Sequence, residues 1–396
     1  MSKSAGMRLT VMAGVLACGV VQARPADQQI GRAPVEVSVP APPTPIAALG
    51  RKHLVYEVHL TNFGALPVAL EQIEVLNEGR VIASWNGRQL WQRVHVIGQP
   101  ERPATSDVLQ PGLRAVAYLW ITLQADASAP GALAHRLTFA DKAGDRETMT
   151  TPPLSLASPA PAIGSPVRGG PWVAVRGPAN ASGHRLSLVT LEGRTRVPQR
   201  FAVDWTLLGE DGLAFHGDRT DITNWYGYDA PAYAAAAGTV VLVRDGSPDR
   251  PAFAPAPPAI MEAVAAPGNV VVIDIGHGRF ASYAHLKPGS VRVAQGDRVS
   301  EGQPLARIGN SGNSLGPHLH FHVSDAIEPL GGEGLPFALN SFDLVGRIGS
   351  LSELLQGTAW RSSPAQPART VTAEMPLENM VMRFSQASAP HWISRR

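Results

Sequence analysis

Three histidines at single-residue spacing, His318, His320 and His322, alternate with Leu319, Phe321 and Val323. They follow a Gly-rich run, Gly309 to Gly316, closed by Pro317. On a strand, this period of two sets the three imidazoles on one face and the apolar side chains on the other. Neighbouring same-face positions lie roughly 6.5–7 Å apart, so one ring can hold a metal while the next addresses an attacking water. Imidazole suits Zn²⁺, and a catalytic zinc site combines three protein ligands with one open position. A bare His-x-His is equally well read as a polar strand face, so the surroundings must decide.

Those surroundings are β-structure. Asn269 to Ile275 reads as a buried strand, and Ala281 to Lys287 follows a Gly276-His277-Gly278 turn in which His277 has a turn role. Val291 to Val299 carries a Gly296-Asp297 turn, and Gly302 to Gly309 leads into the histidine strand. The run from Ala236 to His322 resembles the lysostaphin/LytM-type zinc endopeptidases, the twenty-third metallopeptidase family. Tyr283-Ala-His285-Leu, Val293-x-x-Gly-Asp-x-Val299, Gly302-Gln and Gly316-Pro-His-Leu-His-Phe321 carry the resemblance.

The resemblance implies that His320 is a zinc ligand and that His318 and His285 flank the open position as general base or transition-state stabilisers. It implies a peptidase acting on amide bonds in peptidoglycan peptides. Tyr283, two residues from His285, is expected on the same strand face. His322 is expected to be exposed at the strand end, with a supporting place behind the ligands as the alternative.

The other half of the zinc site departs from the family pattern. The family supplies it from His-x-x-x-Asp, but here Arg200-Phe-Ala-Val-Asp204 keeps the Asp and puts an arginine at the His position. A guanidinium stays protonated and cannot ligate zinc. Asp204 is the expected second ligand, and His184 is a candidate for the third. A hairpin folded about Glu192-Gly193 would set His184 opposite residue 201, and a shift or a bulge at Pro198 would bring it level with Asp204. His216, Asp218 and Asp229, in the insertion after Asp204, are weaker substitutes. The alternative function is a catalytically inactive LytM-like module that binds cell-wall peptides or activates another hydrolase.

Around this constellation the chain of 396 residues is 44% hydrophobic and 17% charged, which suits a globular protein of two or more domains. A formal net charge of +2 gives no reason to expect nucleic-acid binding. Aromatics at 6%, with 39 Gly and 35 Pro, favour loops and β-structure over long helices. Alternating runs at 54–60, 67–77, 115–122 and 134–139 suggest an immunoglobulin-like β-sandwich. Its histidines, His53, His59, His95 and His135, show no ligand spacing. The expected class is therefore mainly β, an N-terminal β-sandwich-like domain followed by a LytM-type β-sheet peptidase domain. The expected boundaries are a signal peptide at 1–23, the sandwich at 24–150, a Pro/Ala/Ser-rich linker at 151–170, the peptidase domain at 171–342 and an extension at 343–396.

The N-terminus has the form of an export signal. Lys3 and Arg8 precede an apolar run from Leu9 to Val21, and Val21-Gln22-Ala23 fits the cleavage pattern. The run of about 13 residues falls short of the roughly 20 that span a bilayer. Leu16-Ala17-Cys18-Gly19 weakly resembles a lipobox, and cleavage after Ala23 would remove Cys18, the only cysteine. The expected location is periplasmic or extracellular. Mass spectrometry of the exported protein should find a chain beginning near Arg24; an intact Met1, or a lipid on Cys18, is the opposite outcome.

Overall fold

The computed structural model describes residues 34–99, 107–124, 128–365 and 367–386. The expected export signal, its cleavage site and Cys18 lie outside the described residues.

The N-terminal alternations do form two antiparallel sheets. In the first, β1 (Arg51–Asn62) pairs along one edge with Val35–Ser38 and Thr44–Ala48 and along the other with β2 (Arg114–Thr122). The second sheet runs Arg146–Thr150, Ala132–Ala140, Val68–Asn77, Arg80–Asn86. Period-two patterning directs Leu54, Tyr56, Val58 and Leu60 of β1 toward Leu70, Ile73, Leu137 and Phe139 of the other sheet. The unit is a β-sandwich.

The second face of β1 is not solvated. Val55, on that face, belongs to the same apolar cluster as Trp172, Phe201 and Phe321 of the C-terminal sheet. Glu57 and His59 on it are also buried. A strand that alternates polar and apolar residues is thus enclosed on both sides, and its polar residues must find partners within the protein.

The C-terminal unit is one large sheet. Its strands include β3 (Gly169–Val175), β4 (Val203–Leu207), β5 (Asn269–Asp274), β6 (Phe280–Leu286), β7 (Leu319–Ser324), β8 (Ala338–Arg347) and β9 (Met380–Phe384). Their spatial order is β8, β9, β3, β4, β7, β6, β5, with Gly238–Arg244 beyond β5. One face is a continuous apolar layer of Trp172, Val203, Trp205, Tyr283, Leu319, Phe321 and their neighbours. The three short strands of the histidine region therefore sit mid-sheet, where pairing on both sides fixes their register. Tyr283 pairs with Phe321, and Ala284 with His320. Met380 to Phe384 occupies a place between β8 and β3, within the sheet.

The sandwich histidines serve its interior. His135 Nε2 lies 2.9 Å from the Tyr56 hydroxyl, and His53 Nε2 lies 3.0 Å from the Ala48 carbonyl. Burial lowers His135 from 6.5 to about 4. Burial, aided by the Arg114 charge, lowers His59 to about 4 as well. The unfolded chain therefore binds more protons than the folded one between pH 6.5 and about 4, and acidification through that window favours unfolding. The urea midpoint should accordingly be lower at pH 5 than at pH 7.5; equal midpoints would show that these rings remain hydrated in the fold.

Candidate metal centre

Pairing alone brings two of the candidate residues together. Asp204 on β4 lies opposite His320 on β7, and Val175 at the end of β3 lies opposite Asp204. Because paired residues share a face, Asp204, His320 and His322 all point away from the apolar layer that holds Val203, Trp205 and Phe321. His320 Nδ1 is 2.8 Å from Asp204 Oδ1.

His184 reaches the same point by another route than the hairpin expected from the sequence. A turn does form at Glu192-Gly193, both residues having positive φ, but it joins only Val189–Leu191 and Arg194–Arg196. His184 lies outside this ladder, on a single helical turn, α1 (Gly183–Leu186). Its position comes from a hydrogen bond: Nδ1 donates to the Arg176 carbonyl at 2.9 Å. Arg176 directly follows β3 and has φ +47, a left-handed conformation uncommon for a non-glycine residue. The other ring nitrogen, Nε2, then lies 3.4 Å from Asp204 Oδ2. His184, Asp204 and His320 each offer one ligand atom, all within 4.8 Å of one another, and all three residues are buried.

His285 arrives through a defect in the ladder. The β5–β6 register shifts between Asn269 and Val271, leaving Ala284 and His285 opposite a single residue. His285 has φ +59. Such a bulge re-aims a side chain. It turns the His285 ring to 4.9 Å from that of His318 and 5.8 Å from that of His320. Tyr283 is therefore not on the same face as His285. It packs in the apolar layer, its hydroxyl accepting from the Ala235 amide at 2.7 Å.

The substitutes lie elsewhere. His216 is exposed against the Tyr226 ring. Asp218 binds Thr220, and Asp229 pairs with Lys287 at 2.7 Å and Arg307 at 3.0 Å. His322 is not exposed at the strand end but buried at 1%.

Hydrogen bonds fix which nitrogen of each ring faces the centre. Nδ1 of His184, of His285 and of His318 faces a backbone carbonyl: Arg176 at 2.9 Å, Ser311 at 2.8 Å and Gly316 at 2.7 Å. A carbonyl only accepts, so each Nδ1 carries the proton and each Nε2 is left with a lone pair when the ring is neutral. For His322 the order reverses, with Nε2 donating to the Pro329 carbonyl at 2.8 Å. Its Nδ1 is then an acceptor, 3.0 Å from His320 Nε2, which must donate. His320 consequently presents a bare Nδ1 to a carboxylate oxygen at 2.8 Å. Burial holds His320 well below the ordinary histidine range despite the nearby Asp204, so the ring is neutral.

The electrostatics agree with a metal's requirements. Burial works against the Asp204 charge, but His184 and His318 outweigh it and hold the carboxyl well below its usual range. Burial also lowers His184, against the pull of Asp204. One ionised carboxylate and two neutral imidazoles are the protonation states that a divalent cation needs. Burial and the neighbouring His318 lower His285 to about 3. His318 is raised, the adjacent Asp204 overcoming its burial.

The centre lies in a cleft of about 540 Å³ whose walls include Arg176, Trp225, Met261, Leu315 and Leu355. Gly316 allows the wall to close on the Trp225 ring, since a Cβ there would come within 2.6 Å of it. Sequence reading missed three contributions: the Arg176 carbonyl, the bulge at 284–285 and Gln199, whose side-chain amide lies 3.3 Å from His320 Nε2. Only the third carries a signal, the adjacency of Gln199 to the departing motif.

A mainly antiparallel sheet with a buried His/Asp/His group on its polar face defines a protein of metallopeptidase type. Residues 220–330 match the family model of Peptidase family M23, so this part of the chain is of lysostaphin/LytM type. The matched span holds His285, His318 and His320; His184 and Asp204 precede it. A curated relative, peptidoglycan DD-endopeptidase ShyA of Vibrio cholerae serotype O1, is 41% identical over 56 residues, 14% of this chain and 13% of that protein. Among solved structures, the M23 protein EnpA of Enterococcus faecalis is 21% identical, covering 44% of this chain and 92% of that one, with a TM-score of 0.25. The lysostaphin catalytic domain of Staphylococcus simulans is 18% identical over 41% of this chain and 86% of its own, at a TM-score of 0.22. These scores are too low to compare sites.

The hydrogen-bond pattern makes a spectroscopic prediction. In long-range ¹H–¹⁵N spectra of metal-free protein at pH 7.5, His320 and His322 should show Nε2–H tautomers, and His184 and His285 Nδ1–H tautomers. An Nδ1–H signal from His322 would contradict the chain running from Pro329 to His320.

Proposed function

We propose that the protein is an exported zinc metalloendopeptidase that hydrolyses amide bonds in peptidoglycan peptides. The observation that carries this reading is the convergence of His184, Asp204 and His320, one ligand atom of each lying within 4.8 Å of the others. Two nitrogens and one carboxylate oxygen form a donor set suited to zinc with a fourth position left for chemistry. When bound, zinc would polarise the scissile carbonyl and lower the pKa of an attacking water to about 7.

The remaining work falls to His318 and His285. Both rings are pinned at Nδ1 by carbonyls, so neither can swing away from the cleft. His318 directs Nε2 to within 3.3 Å of Asp204 Oδ1, beside the carboxylate that favours its protonated form. It is the group to accept a proton from the attacking water and return it to the leaving amine. His285, kept neutral by burial, offers an acceptor nitrogen that orients the water. Asp204 balances the charge that His318 gains. The substrate enters as an extended peptide along the cleft, whose lining includes Met261, Leu315 and Leu355.

The part of the chain that matches the peptidoglycan endopeptidase supports the substrate class. Export fits that substrate, and no helix among the described residues is long and apolar enough to cross a membrane.

Purified protein should bind one zinc per chain by elemental analysis. His320→Ala should abolish binding, and His184→Ala should reduce it severely, since each removes one of three protein ligands. Full zinc occupancy in His184→Ala would refute the assignment of that residue. His318→Ala and His285→Ala should keep zinc yet slow muropeptide release by about 10²–10⁴-fold, the range of a general base. A zinc-loaded wild type that releases no more than His318→Ala would favour the inactive peptide-binding module.

A further inference from the structure

The arginine at position 200, which cannot hold a metal, is not idle. Its Nε donates to Glu57 Oε2 at 2.7 Å, Nη2 to Glu333 Oε2 at 2.7 Å and Nη1 to the Gly334 carbonyl at 2.9 Å. The second Glu57 oxygen accepts from Arg185 Nε at 2.8 Å. Arg185 is saturated by Asn180 Oδ1 at 2.6 Å and by the carbonyls of Tyr56 and Leu119 at 2.8 and 2.9 Å. Glu57 is 2% exposed, Arg185 0% and Arg200 5%. Burial would push the Glu57 carboxyl up, but the Arg200 and Arg185 guanidinia hold it below its usual range.

What matters is where these arginines stand. Arg185 follows His184 on α1. Arg200 stands four residues before Asp204. Glu333 precedes, and Gly334 opens, the short strand that pairs with Val323 and Ser324, at the end of the strand carrying His320 and His322. One carboxylate, carried by the sandwich strand β1, thus joins the segments that carry His184 and Asp204, and through Arg200 it reaches the short strand paired with the one that carries His320. α1 needs such a tie. It is a single turn whose N-cap, Ser182, makes no capping bond to the turn's own amides, and one turn of helix has little stability of its own.

We infer that Glu57 is a positioning residue of the metal centre, so that the N-terminal sandwich is a structural part of the site and not merely its neighbour. This inference rests on the metal-centre reading above. A buried ion network adds little net stability compared with a well-packed apolar replacement, but it imposes directions that apolar packing does not. Here the direction imposed is the approach of His184 to Asp204.

The test is zinc affinity, measured by chelator competition on full-length protein, with folding followed by near-UV circular dichroism and thermal melting. Glu57→Gln keeps the shape but offers only one acceptor oxygen to two guanidinia. Zinc should bind about 10- to 100-fold more weakly, the usual effect of losing a residue that orients a ligand. Leu133→Ala, in the sandwich core, should lower the melting temperature and leave zinc affinity unchanged, separating position from stability. Because a lone substitution leaves buried charge uncompensated and can prevent folding, the triple variant Glu57→Leu/Arg185→Leu/Arg200→Leu removes the whole triad. It should fold and still bind zinc more weakly. A folded variant of either kind that holds zinc as tightly as wild type overturns the inference. A wild type that holds no zinc overturns instead the metal reading on which the inference rests.

Discussion

An ionised carboxylate removed from water must be surrounded by groups that compensate it, and Asp204 imposes that demand on the whole centre. Its strand has neighbours on both sides, so its direction is set by the sheet. Everything that approaches it comes from a separate segment: His184 from a helical turn, His318 from the approach to β7, His320 from β7 itself. Backbone carbonyls select the tautomer of four rings in the cluster and, through His322, of a fifth, His320. The donor atoms are therefore aimed before any ion arrives. Such pre-aiming depends on main-chain positions, which is why the strained conformations at Arg176 and His285 occur here.

The histidine strand and the sandwich were readable because their signals are local. Alternation over His318 to Val323 gives the faces, and the runs at 54–60 and 134–139 give strands with one apolar side. The partner of Asp204 was readable only as a candidate. His184 has the right chemistry, but its place depends on a carbonyl eight residues away and on a carboxylate in another sheet, and neither leaves a pattern near residue 184. The expected hairpin shortened because Arg185 and Arg200 are drawn to Glu57, so the two arms separate where continued pairing was expected.

The same reasoning explains Tyr283 and His285. Period two assigns them to one face, but a single extra residue reverses the assignment from that point on. A bulge at a non-glycine residue gives no compositional warning. The second buried face of β1 was equally hidden, since Glu57 and His59 look like the solvated side of a half-buried strand until another sheet is laid over them.

The position of β9 has a consequence for how the protein is made. Met380 to Phe384, near the end of the chain, fills the slot between β8 and β3. Until those residues have emerged, β3 has an open edge, and β3 leads directly into Arg176, whose carbonyl holds His184. A chain delivered from its N-terminus must wait for Met380 to Phe384 before that edge of β3 is paired, and contacts so distant in sequence form slowly. Completion of this part of the sheet, and with it the seating of His184, thus waits on β9, so a chain clipped before Met380 lacks a support that shapes the His184, Asp204 and His320 group.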